Sequence, residues 1–349
     1  MKNFYKNKKV LITGHTGFKG SWLSCILNSF ESKVYGISDG KINSLLYKKK
    51  IANYKKEYFL DLKEEKKLKK IITKIQPDII FHLAAQSLVF KSYINPSKTW
   101  QSNLFASLNI LEASKSLNKN IILIMITSDK CYKNKEIDRG YTEIDELGGN
   151  DPYSASKAAT EIMIKSYFHS FLKQNKKIKI ATARAGNVIG GGDWSDHRLV
   201  PDLIKSWNKN KKVKISNPKS TRPWQHVLEP LNGYLKLAEM LNKKKKLNGH
   251  SFNFGPNKKN NYTVLDLTKK IAIFFKKENF WTIKSNKDFY EAKLLKLNSK
   301  KSEKLLKWKP KLNFKKTAEY TASWYLNYYN KKTNLKKFTF HQISKYFNN

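Results

Sequence analysis

Tyr153 and Lys157 stand four residues apart in DPYSASKAATE. On a helix that spacing puts both side chains on one face, so a phenol and an ammonium can share a pocket. An ammonium beside a phenol favours the phenolate and lowers its pKa, giving a general base near neutral pH. A second group, Thr127-Ser128-Asp129-Lys130, closes the apolar run that begins at Ile121. There Ser128 is placed to hydrogen-bond a sugar hydroxyl beside Tyr153, and Asp129 to act as a general acid. A third lies in VLITGHTGFKGSW, Val10 to Trp22, where a β-branched run is followed by Gly14, Gly17 and Gly20. Strand, glycine turn and helix in that order let backbone approach a phosphate and aim unpaired N–H groups at it. The spacing G-x-x-G-x-x-G is not the commoner G-x-G-x-x-G, and a tight turn into a helix would account for it alone. The Tyr–Lys pair downstream turns the anion into a dinucleotide.

These groups need elements to hold them. Residues 21–29 suit a helix and Lys33 to Ser38 a second strand, which makes a β-α-β unit. Ser38 and Asp39 end that strand without an Arg, and an acid there disfavours a 2′-phosphate and suits NAD, although Lys41 adds a positive charge close by. Residues 40–56 read as a Lys-rich surface excursion, Glu57 to Leu62 as a short strand and 63–75 as a charged amphipathic helix. Asp78 to Ala84 and Ile121 to Thr127 are continuous apolar strands of the kind buried on both faces of a parallel sheet, with a helix at about 99–116 between them. A helix over 152–172 and a strand at Ile178 to Arg184 follow. Beyond these come a Gly190-Gly191-Gly192 loop, helices at 199–209, 229–242, 263–277 and 314–329, strands at Lys212 to Ile215 and Ser251 to Phe254, and a Lys-rich tail. The alternation predicts an α/β fold, a Rossmann-like doubly wound parallel sheet over 1–186 with a smaller C-terminal α/β substrate-binding domain over 187–349, some of whose segments return to the first.

The chain of 349 residues carries a formal charge of +42, yet Arg occurs only at Arg139, Arg184, Arg198 and Arg222. Lys spread among abundant Asn, Ile, Tyr and Phe fits AT-rich codon usage and a solvated surface better than a nucleic-acid groove. Arg retained against that bias points to planar recognition of phosphate or carboxylate. Cys25 and Cys131 cannot build a disulfide framework and fit a reducing, cytoplasmic compartment. No metal-ligand spacing, signal-peptide core or run long enough to span a bilayer is present in the sequence.

GHTGFKGSW, HLAAQSLV, TSDKCY, YSASKAATE, RAGNVIGGGDW, RPWQHVLEPL and a C-terminal FTFHQISKY, in this order, resemble the extended short-chain dehydrogenase/reductase family, in its nucleotide-sugar dehydratase and epimerase group. His15, Lys19, the Asp129-Lys130 pair and the GGGDW loop are the more specific part. The resemblance implies that Gly14, Thr16, Gly17, Phe18 and Gly20 cradle the pyrophosphate of NAD, with Ser38 and Asp61 on its adenosine side. Ala84, Ala85, Gln86 and Asn103 would line the rest of the cofactor site, and Lys157 would touch the nicotinamide ribose. Gln86, Ser128, Asn187, Arg198, Arg222 and His226 would hold the nucleotide sugar, CDP-glucose, in a homodimer or dimer of dimers.

The implied reaction is redox-neutral. Tyr153 takes the 4-hydroxyl proton while hydride leaves C4 for NAD; water is lost across C5 and C6 with Asp129 as acid; hydride returns to C6, giving CDP-4-keto-6-deoxy-glucose for deoxysugar and lipopolysaccharide O-antigen synthesis. Related dehydratases carry a Glu, the C5 base, where this chain has Lys130, so Lys130 is expected either to be that base with a lowered pKa or to stabilise the enolate. A nucleotide-sugar 4-epimerase, or a dehydratase of another nucleotide glucose, uses the same Tyr–Lys base; Asp129-Lys130 argues for dehydration. A non-catalytic NAD-binding protein with a polyanion-binding surface is disfavoured by the intact Ser128, Tyr153 and Lys157.

Overall fold

The apolar runs assemble into one sheet. In the computed structural model, which describes residues 1–257, 262–284 and 294–348, strands β1 (Lys9–Thr13), β2 (Lys33–Ser38), β3 (Lys56–Phe59), β4 (Ile79–His82), β5 (Ile121–Ile126) and β6 (Ile178–Ala185) pair in parallel. The strand Ser251–Phe254 completes a seven-stranded sheet beyond β6, in the order Ser251–Phe254, β6, β5, β4, β1, β2, β3. Neighbouring β1 and β4 run away to opposite sides in chain order, so the carboxyl ends of β1, β4 and β5 open onto a topological switch point, where ligands bind in such sheets. Every residue of β4 and of β5 is buried, which is why both read as unbroken apolar runs.

Helices Glu65–Ile75, Ala106–Lys115 and Pro152–Tyr167 cover one face, closing a core of Leu68, Ile72, Ile110, Leu123 and Ile164. The helix after the glycine turn, Phe18–Ser29, and Leu228–Lys243 cover the other. Tyr5 donates to the Leu235 carbonyl at 2.8 Å, and the helix Leu335–Asn348 packs on Phe18–Ser29. The C-terminal half is thus built onto the sheet of the N-terminal half.

Three expectations need correction. The excursion at 40–56 contains a short helix, Leu45–Lys48, capped by the Ser44 hydroxyl, with Leu45, Leu46 and Ile51 buried. The strand expected at Glu57 to Leu62 ends at Phe59. The Lys-rich tail is the helix Leu335–Asn348, whose Thr339, Ile343 and Tyr346 are buried. Among the described residues no helix is long and apolar enough to cross a membrane, and no group of His, Cys, Asp and Glu is arranged to hold a metal ion.

Candidate active site

The glycine turn is tight enough to exclude side chains. Gly14 has φ of +73°, and a Cβ there would meet the Ala84 backbone at 2.9 Å. A Cβ on Gly20 would lie 2.2 Å from the Gly14 carbonyl oxygen. Helix Phe18–Ser29 therefore starts directly against β1, with Gly17 as its N-cap and no side chain closing its first turn. Its N–H groups and dipole are left for an anion. Phe18 itself is buried, and Thr16 is spent on the turn, its hydroxyl donating to the Lys41 carbonyl at 2.7 Å. His15 lies beneath, its ring filling the space above Gly36 and its Nε2 2.9 Å from Glu57 Oε1.

At the outer end of this crevice, Ser38 Oγ accepts the Gly40 N–H at 3.3 Å, Asp39 pairs with Lys41 at 2.7 Å, and exposed Asp61 pairs with Lys63 at 3.3 Å. Toward the inner end a buried chain ties β1 to the helical layer. Ser107 donates to the Asn103 carbonyl at 2.6 Å, so it accepts from His82 Nε2 at 2.9 Å; His82 Nδ1 then accepts the Thr13 hydroxyl at 2.8 Å, and Thr13 accepts the Ala84 N–H at 3.2 Å. Burial first, and Lys157 second, push the His82 pKa down to about 3, which keeps the ring neutral, while the Ser107 and Thr13 hydroxyls select its tautomer.

Asn103 is fully buried and bonded to the Gln86 backbone N–H at 2.8 Å, the Gln86 carbonyl at 3.1 Å and Ser156 Oγ at 2.8 Å. It holds the Ala84-Ala85-Gln86 segment against the helix Pro152–Tyr167, with both amide hydrogens engaged within the protein. The Gln86 side chain likewise bonds Leu88 and Thr99, at 2.9 and 3.1 Å.

Ser128, Asp129, Tyr153 and Lys157 converge beside that segment, each under one-tenth exposed. Asp151 caps the helix through the Ser154 N–H at 2.9 Å and fixes the first turn that carries Tyr153. Ser128 Oγ donates to Asp129 Oδ1 at 2.9 Å and accepts the Lys130 N–H at 3.2 Å. Asp129 Oδ2 is buried with no hydrogen-bond partner, facing Gly186, where a Cβ would stand 2.9 Å away. Burial raises the Asp129 pKa, opposed by Lys130, Ser128, Lys19 and Arg222. The shift is in the direction that a general acid requires.

Burial pushes the Tyr153 phenol up to about 12, with Ser128 and Arg198 pulling it down and Asp129 and Asp151 pushing it up. The expected depression of the phenol by Lys157 is not what the side chains do. The same burial lowers Lys157 to about 8, against which the Glu161 carboxylate, one helical turn along, acts. Sharing a face gave proximity to one pocket without setting the phenol's charge state.

Lys19, on the first turn of the glycine-turn helix, is a chamber residue that the sequence treated only as part of a signature. Burial lowers its ammonium to about 8, with Arg198, Asp129 and Lys157 as its charged neighbours. Arg198 bridges the crevice, donating to Asp193 Oδ2 at 3.0 Å and to Ser87 Oγ at 3.0 Å. Arg222 is buried and faces Asp129, while Asn187 passes its carbonyl to the Gln225 N–H at 3.1 Å. His226 is fully buried between Trp22 and Tyr320, with burial lowering it to about 3. It packs between the two rings, with its Nε2 buried and without a hydrogen-bond partner.

The model of the family described as GDP-mannose 4,6 dehydratase matches residues 11–321. The chain belongs to this family. It is 37% identical over 330 residues to the CDP-glucose 4,6-dehydratase of Salmonella typhimurium, covering 93% of this chain and 92% of that protein. It is 27% identical to the UDP-glucose 4-epimerase of Mycoplasma genitalium over 92% of this chain and 97% of that one. Its fold is that of the dTDP-glucose 4,6-dehydratase of Bacillus anthracis, solved in complex with NAD (TM-score 0.76, 22% identity, 92% of this chain and 97% of that one).

Two further features position the site in this family member. The GGGDW loop threads between aromatic rings: a Cβ on Gly191 would stand 2.0 Å from Trp324, Trp22 donates to the Gly191 carbonyl at 2.8 Å, and Tyr325 donates to the Asp193 carbonyl at 2.6 Å. Held that way, Asp193 anchors Arg198. Behind Ser128, Glu161 accepts from buried Thr127, Thr182 and Arg184 and from half-buried Ser251, a cluster that bolts β5, β6 and the Tyr153 helix together.

Proposed function

We propose that this protein is an NAD-dependent CDP-glucose 4,6-dehydratase, a hydro-lyase that makes CDP-4-keto-6-deoxy-glucose. The observation that carries the reading is the buried Asp129 carboxyl, raised toward its protonated form and touching Ser128 beside Tyr153. A 4-epimerase needs the Tyr153 base alone; an acid is needed to expel a hydroxyl. The curated relative at 37% identity supports the choice of CDP-glucose among nucleotide glucoses.

The residues fit the cofactor. A cradle that any Cβ would fill, an uncapped helix start and an acidic Asp39 at the end of β2 suit the diphosphate and ribose of NAD. Gly14, Gly17 and Gly20 would hold it, with Lys157 at its nicotinamide ribose. When bound, the nicotinamide takes two electrons and a hydrogen from sugar C4 and later returns them at C6.

The chain supplies the rest. Ser128 orients the 4-hydroxyl, and Tyr153 holds the proton that leaves it. Asp129 protonates the departing 6-hydroxyl. Lys130, adjacent to Asp129, takes the C5 proton or holds the enolate charge. Arg198 and Arg222, the two arginines at the crevice, bind the diphosphate. Closed burial of Tyr153, Asp129 and Lys157 keeps water from the ketone.

Exposed Phe105, Ile162 and Phe171 lie on the neighbouring helical segments beside Tyr153 and support a homodimer through that face, in a soluble cytoplasmic enzyme of deoxysugar and O-antigen synthesis. Light scattering on the purified protein, with and without Ile162→Lys, reads that state. Incubation with CDP-, UDP- and dTDP-glucose tests the activity: loss of one water by mass and an alkali-absorbing product with CDP-glucose is expected, and epimerised sugar of unchanged mass overturns it.

A further inference from the structure

Gly186 follows the last residue of β6 and stands at the back of the Asp129 carboxyl. A Cβ there would lie 2.9 Å from Asp129 Oδ2 and 2.8 Å from Pro223 Cγ, closer than van der Waals contact allows. The backbone on either side is pinned. Ala185 pairs with Phe254 in the sheet, and the Asn187 carbonyl accepts the Gln225 N–H at 3.1 Å, where Val188–Ile189 and Gln225–His226 run in parallel. The strand end that carries the acid is fixed too, since the Thr127 N–H donates to the Ala183 carbonyl at 3.0 Å. What must yield to a side chain at 186 is therefore the carboxyl or the proline ring. The two oxygens of that carboxyl are unlike. Oδ1 accepts the Ser128 hydroxyl at 2.9 Å, whereas Oδ2 is buried with no hydrogen-bond partner. A proton on the acid belongs on Oδ2, the oxygen whose ionised form no hydrogen bond stabilises.

We propose that Gly186 is a positioning residue for dehydration: its missing side chain lets the Asp129 carboxyl seat with Oδ1 on Ser128 and Oδ2 dry, and so fixes the acid that protonates the departing 6-hydroxyl. The inference rests on the dehydratase reading above. In that step the C6–O bond breaks, and the hydroxyl leaves as water with its bonding electron pair and the Asp129 proton. The C5–H electron pair becomes the C5–C6 double bond as its proton passes to a base. The nearest atoms that a Cβ would meet belong to Asp129 and Pro223, not to Tyr153 or Lys157, so oxidation at C4 is the step least disturbed.

Single-turnover mixing of the NAD-loaded protein with CDP-glucose separates the two steps, read by the near-ultraviolet absorbance of reduced nicotinamide and by product mass. Gly186→Ala is expected to slow loss of water by about 10- to 100-fold and to let reduced nicotinamide accumulate, as Asp129→Asn should. Added to Asp129→Asn, it should change the rate of water loss by less than about twofold, because it acts through that carboxyl. Two effects that multiply would mean a general loosening of the site and overturn the inference, as would an unmodified rate in Gly186→Ala. Pro223→Ala removes the second obstacle. Gly186→Ala in that background should keep the melting temperature of Pro223→Ala alone and still slow water loss. Failure of both Gly186→Ala proteins to fold, or recovery of the rate with Pro223→Ala, assigns the glycine to packing and also overturns the inference. If the unmodified protein neither reduces its nicotinamide nor releases water, the dehydratase reading itself falls, and this inference with it.

Discussion

Arg184 Nη2 lies 2.8 Å from Glu161 Oε2, with both side chains almost wholly buried. Glu161 is one helical turn beyond Lys157, and its other oxygen accepts from Thr127, the residue before Ser128. The pair therefore ties the helix that carries Tyr153 and Lys157 to the strand end that carries Ser128 and Asp129. Neutralising one partner leaves the other charge buried, so Glu161→Gln is expected to cost about 3–5 kcal/mol of stability, read by denaturant unfolding. The cost should appear in kcat with KM for CDP-glucose little changed, since no Glu161 atom reaches the crevice. A variant of native stability would contradict the role of the pair.

Gly20→Ala separates helix propensity from site geometry. Ala is the better helix former by about 1 kcal/mol, yet its Cβ would lie 2.2 Å from the Gly14 carbonyl oxygen and 2.8 Å from His15 Cα. Both obstacles are backbone, so the turn must open. Loss of NADH binding together with a lowered melting temperature is the expected outcome, followed by fluorescence titration and thermal unfolding.

Asp129 carries opposed demands from chemistry and stability. Its pKa in the fold is raised above the ordinary 3.8 by burial, so the native state holds the proton more tightly than the unfolded chain. Stability from this group is complete below that ordinary value and is lost as pH rises through the raised one. Asp129→Asn removes the loss, and its melting temperature should exceed that of the unmodified protein by a margin that grows from pH 4 to pH 8. Dehydration should fall by about 100- to 10,000-fold. A margin that stays flat or shrinks with rising pH would show that the native carboxyl pKa is not raised.

Much of this was legible from residue order because the relevant constraints are local. Ile121–Ile126 is buried on both faces, so every residue is apolar; Tyr153 and Lys157 share a face because a helix repeats every 3.6 residues. The rest depends on partners distant in sequence. Arg184 stood out as one of four retained arginines, yet nothing in residue order names Glu161 as the carboxylate it meets once β6 packs against the Tyr153 helix. His226 was placed with the substrate residues by the family resemblance, and residue order gives no sign of the Trp22 and Tyr320 rings that enclose it. The last helix was hidden by Lys on its exposed face, although Thr339, Ile343 and Tyr346 already had helical spacing. Lys19 was hidden among the glycines that made its turn conspicuous.

Of the three buried histidines, His82 and His226 are lowered furthest and contribute to how the protein fails in acid. His82 and His226 are both lowered to about 3 from the ordinary 6.5, chiefly by burial. The native state then binds fewer protons than the unfolded chain between those values, and stability rises with pH across that window and is flat above it. Each ring accounts for about 1.4 kcal/mol per pH unit at the steepest part. His82 matters more to the site, because protonating Nδ1 removes the acceptor for Thr13 and frees the Ala84 segment that faces Gly14. Unfolding by urea at pH 4.5, 5.5 and 7.5 should give a pH slope smaller by about one proton in His82→Gln than in the unmodified protein. His226→Gln should lose the same slope while leaving NADH affinity unchanged at pH 7.5, whereas His82→Gln should weaken it. Equal slopes in all three proteins would mean that neither ring stays neutral in the fold.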